Sequence, residues 1–173
     1  MKKIILLLIV LSATKLIAQE DKKLELSLGG EFLFPVDTDS DEDYLIGGSA
    51  GVGYIMSPIV VFSGSVGYYQ FSSDGSEYLQ EEPGSVLGVS LRVKRYIFQG
   101  SSHLKPYLRL DVGFLFPLSE STPPIYPEIC GGMGLEFIVN TEAFIFIDAG
   151  YLVLTSGDWT KFILGRIGVN FHI

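Results

Sequence analysis

The chain has 173 residues, of which 47% are hydrophobic and only 18% charged, against roughly 25% charged in an ordinary soluble domain. That length fits one domain with a sizeable core, and the composition excludes intrinsic disorder. A single cysteine excludes an internal disulfide framework and a four-cysteine zinc site, and a net charge of −8 lacks the basic footprint of a nucleic-acid binder.

At the amino terminus Lys2 and Lys3 precede a continuous apolar stretch from Ile4 to Leu11, and Ala18 offers a small residue before Gln19. This is the order of a cleaved export signal over residues 1–18. Thr14 and Lys15 interrupt the apolar run well short of the ~20 residues a spanning helix needs. Gln19 stands where a lipoprotein would carry its cysteine, so no lipid anchor is expected. Loss of residues 1–18 removes three lysines and no acid, leaving a mature domain over residues 19–173 with 9 basic and 20 acidic residues, a net of −11.

The mature chain repeats one pattern, alternation of apolar with small or polar residues at period two, which predicts strands. In chain order the strands are expected at residues 24–34, 45–56, 59–71, 86–97, 104–116, 129–139, 142–153 and 161–173. The fifth is the clearest. Leu104, Pro106, Leu108, Leu110, Val112, Phe114 and Phe116 form one face, opposite Lys105, Tyr107, Arg109, Asp111, Gly113 and Leu115. In the fourth, Leu87, Val89, Leu91 and Val93 oppose Gly88, Ser90, Arg92 and Lys94. The sixth sets Ile129, Met133, Leu135, Phe137 and Val139 against Cys130, Gly132, Gly134 and Glu136, and the eighth is built alike. None of these segments has the three- and four-residue spacing of an amphipathic helix.

Long polar connections at residues 35–44, 72–83, 117–127 and 155–160 alternate with tight turns at Ser57-Pro58 and Asn140-Thr141 and a modest one at residues 98–103. Even strand number with long loops at one end and short turns at the other predicts an all-β, eight-stranded antiparallel up-and-down transmembrane β-barrel. A soluble lipocalin-like ligand-binding barrel would share the alternation but turn its apolar face inward. The inverted arrangement is favoured because the polar face is mostly Gly and Ser, too sparsely charged for a solvated exterior. Aromatic residues on the apolar face also gather in two belts: Phe34, Tyr68, Phe116 and Tyr151 by the long loops, and Tyr54, Phe62, Phe137 and Phe171 by the short turns.

With the apolar face outside, the lumen receives Glu25, Glu31, Asp111, Glu136, Glu142 and Asp148 against Arg92, Lys94, Lys105, Arg109 and Arg166. Charges withdrawn from water must pair, so a salt-bridged plug is expected, with Arg109, Asp111, Asp148 and Arg166 near mid-height; a small channel for ions or solutes is the alternative. The long loops contain Asp37, Asp39, Asp41, Glu42, Asp43, Asp74, Glu77, Glu81, Glu82, Glu120 and Asp158 and no base, so the mature net charge lies on the cell-exterior side. The run from Asp37 to Asp41 begins like a calcium loop, but its sixth position is Glu42 in place of glycine and its twelfth is Gly48 in place of glutamate. It is read as a solvated acidic loop.

Taken together, the strand grammar, the glycine–aromatic pairs Gly53-Tyr54, Gly67-Tyr68, Gly113-Phe114 and Gly150-Tyr151, Lys105-Pro106-Tyr107 opening a strand, and the closing Phe171-His172-Ile173 resemble the small bacterial outer-membrane β-barrel proteins of the OmpX and OmpA-transmembrane-domain type. The resemblance covers Lys22 to Ile173. It implies an outer-membrane location, contact with membrane lipid and lipopolysaccharide, handling by the barrel-assembly machinery, and a monomer with a possible extracellular partner at its loops. In that family an aromatic commonly stands last; here Ile173 is last and Phe171 two residues before it. Phe32-Leu33-Phe34-Pro35 recurs as Phe114-Leu115-Phe116-Pro117, four strands later. Barrel enzymes of lipid or peptide chemistry usually need a histidine base, yet His103 and His172 both fall at the short-turn end and Cys130 has no histidine beside it. No catalytic, cofactor or metal residues are assigned.

Overall fold

A computed structural model describes residues 24–36, 44–71, 85–98, 103–118, 125–155 and 161–173. The export signal and all eleven loop acids, including the run from Asp37 to Asp41, lie outside the described residues. The described chain forms eight strands: β1 (Leu24–Pro35), β2 (Leu45–Ser57), β3 (Val60–Phe71), β4 (Ser85–Tyr96), β5 (Leu104–Pro117), β6 (Tyr126–Ile138), β7 (Ala143–Leu154) and β8 (Lys161–His172). Each pairs antiparallel with its sequence neighbours, and β1 pairs with β8 to close the barrel. Strands of 12 to 14 residues exceed the ~9–11 that cross a bilayer when tilted.

Period two sets the two surfaces. Along β5, Leu108, Leu110, Val112 and Phe114 point outward and are 45–52% exposed, while Tyr107, Arg109 and Asp111 point inward and are nearly inaccessible. Both aromatic belts face outward, and β2 and β3 place Tyr54 opposite Phe62 in register at the short-turn end. The apolar face is therefore the exterior, which overturns the lipocalin-like alternative. Such a surface requires a hydrocarbon surrounding, and a closed antiparallel ladder satisfies its backbone donors and acceptors there without water.

Three expected connections shift. The first short turn is Pro58-Ile59, because Ser57 still pairs with Val60 across an irregularity in β2. The turn between β6 and β7 takes four residues, 139–142, and the Asn140 side-chain oxygen accepts the backbone N–H groups of Glu142 (2.8 Å) and Ala143 (2.7 Å). Strand β6 starts three residues earlier than expected. Pro127, lacking a donor, still pairs with Phe114 near the strand's outer end, and its carbonyl accepts from Thr155 N at 2.9 Å.

Inside the barrel, aromatic rings lie over glycines. The Phe146 ring covers Gly29 and Gly168, which face each other across β1 and β8; a Cβ on Gly168 would stand 2.1 Å from Leu28 O and 2.7 Å from Phe146 Cζ. A Cβ on Gly165, which faces outward, would meet nothing within 4 Å. Gly168→Ala is expected to cost about 1–3 kcal/mol, the usual penalty of overpacking. It should lower the temperature at which the folded band converts to the unfolded one in gel electrophoresis, and Gly165→Ala should leave that temperature unchanged.

Candidate functional site in the barrel lumen

The inward face of each strand delivers polar side chains in layers. At mid-height Asp148 on β7 is the hub. Its Oδ1 accepts from Arg109 Nε at 3.1 Å, and its Oδ2 accepts from Arg166 Nη2 at 2.9 Å and from the Tyr107 hydroxyl at 2.8 Å. Arg109 also donates through Nη1 to Asp111, which takes Arg92 Nε at 2.5 Å on its other oxygen. Register explains part of this: Asp148 faces Arg166 across β7 and β8, and Asp111 faces Arg92 across β4 and β5. Glu31 accepts from the Tyr69 hydroxyl at 2.7 Å and from Ser49, with Arg166 Nη1 at 3.8 Å.

A second cluster lies toward the short turns. Lys94 donates to both oxygens of Glu25 (2.9 and 2.7 Å) and to Glu136 Oε1 at 2.7 Å. Glu136 also accepts from the Tyr96 hydroxyl at 2.5 Å and Asn170 Nδ2 at 2.6 Å, and is fully buried. His172 Nε2 stands 3.1 Å from Glu25. Lys94 and Arg109 are cross-strand neighbours of like charge. They separate by reaching to different clusters. Lys105 sits lower still, 5.2 Å from the Phe144 ring centre and 5.7 Å from that of Tyr96.

Of the charged residues expected in the lumen, Glu142 is misplaced. Its side chain is exposed in the turn before β7 begins, although its backbone carbonyl still accepts from His172 N at 2.8 Å. Glu128 takes its place as the sixth lumen acid, 8% exposed on β6. It was missed because Pro127 reads as loop. Arg109, Asp111, Asp148 and Arg166 meet in one mid-height network, whereas Lys105 stands apart from both clusters beside the rings of Phe144 and Tyr96.

A second feature unread from sequence is an apolar stopper at the long-loop end. Leu33, Leu45, Val86, Leu115, Leu152, Phe162 and Leu164 pack together with Tyr69 and Cys130. Its signal was parity: Leu33 and Leu115, the second residues of the two repeated Phe-Leu-Phe-Pro segments, fall on the inward face. Between these side chains a space of about 20 Å³ remains near Glu31, Ser65, Arg92 and Glu128, and one of about 10 Å³ near Glu25, Ser27, Lys94 and Arg166. Each has room for about one water.

No protein-family model and no curated protein matches the chain. Solved structures do. Neisserial surface protein A superposes with a TM-score of 0.64 at 14% identity, over 87% of this chain and 97% of that one. The fold is that of the small eight-stranded outer-membrane barrels. OprG from Pseudomonas aeruginosa matches with a TM-score of 0.61 at 12% identity, covering 87% and 95%. Ail, the attachment invasion locus protein of Yersinia pestis, solved in complex with the heparin analogue sucrose octasulfate, matches with 0.53 at 17% identity, covering 87% and 97%. At such identities the likeness establishes architecture and carries no activity across.

Asp148→Ala strips the carboxylate from two buried guanidiniums at once. Removing one partner of a buried pair costs about 3–5 kcal/mol. The urea midpoint for the protein folded in lipid vesicles should fall accordingly.

Proposed function

We propose that the protein is an integral outer-membrane barrel whose lumen is closed to solutes, with a structural or surface-interaction role and no catalytic activity. The observation that carries this reading is the filled interior: two ion-pair clusters and an apolar stopper leave spaces of about 20 and 10 Å³. Eight strands enclose a volume that side chains can fill, and here they do. A channel would need a continuous water path past Leu33, Leu115 and Leu164.

The outward apolar face with its two aromatic belts supports insertion in the outer membrane after export, folded with the help of the assembly machinery, as a monomer in contact with lipid and lipopolysaccharide. Surface interaction is assigned to the acidic loops. Their eleven acids and no base suit bridging divalent cations or a cationic partner on the cell exterior. The polyanion bound by Ail is of the opposite kind, so that ligand does not transfer.

Three measurements test the reading. After fractionation the protein should be found in the outer membrane, and the detergent-extracted barrel should migrate differently before and after boiling; a soluble protein without a shift would overturn the membrane assignment. In planar bilayers it should give no single-channel steps. Steps altered by Arg109→Ala or Arg166→Ala would establish a pore. Cys130, 1% exposed and shielded by the stopper, should react with a charged maleimide only after boiling.

A further inference from the structure

The barrel's outer face is not uniformly convex. A groove of about 700 Å³ crosses it obliquely over β5, β6, β7 and β8 as far as Phe32 on β1, which stands opposite Gly165 in register. It starts at the short-turn end between Ile97 and Leu108 and passes Met133 and Ile147. It then reaches a shallow floor made by Ala149 and Gly165, which face each other in register. The barrel does not need this floor to be bare, since a Cβ on Gly165 would meet nothing within 4 Å. The volume lies in the range of sites that enclose a small molecule, about 300–1,000 Å³.

What distinguishes the groove is the charge at its mouth. Arg95 is exposed on the outward face of β4, opposite Leu108 in register and two residues before Ile97, so it stands beside both residues of the groove's entrance. It makes no ion pair among the described residues. An apolar groove with an exposed guanidinium beside its short-turn end, unpaired among the described residues, has the polarity of a lipid: a hydrocarbon chain with an anionic phosphate at one end. A second groove of about 530 Å³, floored by Gly30, Gly48 and Ala50 between Leu28 and Tyr68, offers similar apolar walls but no charged residue. It serves as an internal comparison.

We propose that the first groove is a site for one glycerophospholipid of the leaflet on the short-turn side, its phosphate on Arg95 and one acyl chain lying along Leu108, Met133 and Ile147 onto Ala149 and Gly165. Phosphate contact by a basic residue at the interface sets which lipid is held and where, while the bare floor lets the chain approach the strand backbone closely enough for continuous van der Waals contact. The inference rests on the reading that the outer face meets lipid.

The test uses the full mature chain reconstituted into phosphatidylcholine vesicles containing a few per cent of a phosphatidylglycerol with a photoactivatable acyl chain. Label is expected to concentrate on peptides from β5 to β8. Arg95→Gln should lower it about fivefold, the ratio corresponding to roughly 1 kcal/mol per interfacial cation. Gly165→Leu, which fills the floor without a clash inside the barrel, should abolish the concentration of label, and Gly30→Leu in the second groove should leave it intact. Even labelling of all eight strands, indifferent to these variants, would overturn the site and leave ordinary boundary lipid. Cross-linked dimers that replace the lipid label would overturn it in favour of a second copy in the groove. Each sample is also run boiled and unboiled: a barrel that never inserts overturns the membrane reading, and this inference with it, whereas an inserted barrel with even labelling overturns this inference alone.

Discussion

The hydrogen bonds between β1 and β8, from Glu25 opposite His172 to Pro35 opposite Phe162, remove the two edges that an open eight-stranded sheet would leave. Every other feature inherits that closure. Once the sheet is a cylinder, parity along each strand assigns a side chain irrevocably to hydrocarbon or to lumen, because a slip of one residue would invert a whole strand. With only eight strands the lumen is narrow, so any charge placed there must find its partner within a few ångströms or stay unpaired in a low dielectric.

The lumen answers that demand by reaching across the cylinder as well as along its wall. Lys94 on β4 ties to Glu25 on β1 and Glu136 on β6, and Tyr69 on β3 ties to Glu31 on β1. These contacts join strands that share no backbone hydrogen bonds. They hold the cross-section against flattening, which the ladder alone does not resist. Glycines beneath Phe146 and Tyr107 complete the fit by letting the rings lie against the neighbouring strands. The interior is thus a set of braces, and the proposed closure to solutes follows from it.

The strands were legible because polar and apolar residues contrast so sharply at period two, as along β5. Their ends were not. Pro127 reads as a loop residue, yet near the outer end of a strand its missing donor costs little, and starting β6 after it hid Glu128. At the other end Asn140 wraps its own turn, which keeps the Glu142 side chain exposed there. The partners Asp148–Arg166 and Arg92–Asp111 are neighbours across adjacent strands, so register suffices to find them. The braces from Lys94 and Tyr69 depend on closure and on the diameter it sets, quantities no single segment encodes. The groove beside Arg95 is of the same kind: its walls come from five strands and the turn before β5.

The position of Cys130 has a bearing on time rather than on energy. In the folded barrel its thiol lies beneath the stopper, with Arg109 Nη1 at 3.4 Å, beyond reach of any oxidant too large to share a water-sized space. On the proposed reading, in which the chain is exported, the same thiol stays bare until β6 is walled in by its neighbours. Protection of this one thiol therefore comes only with the closing of the strands around it.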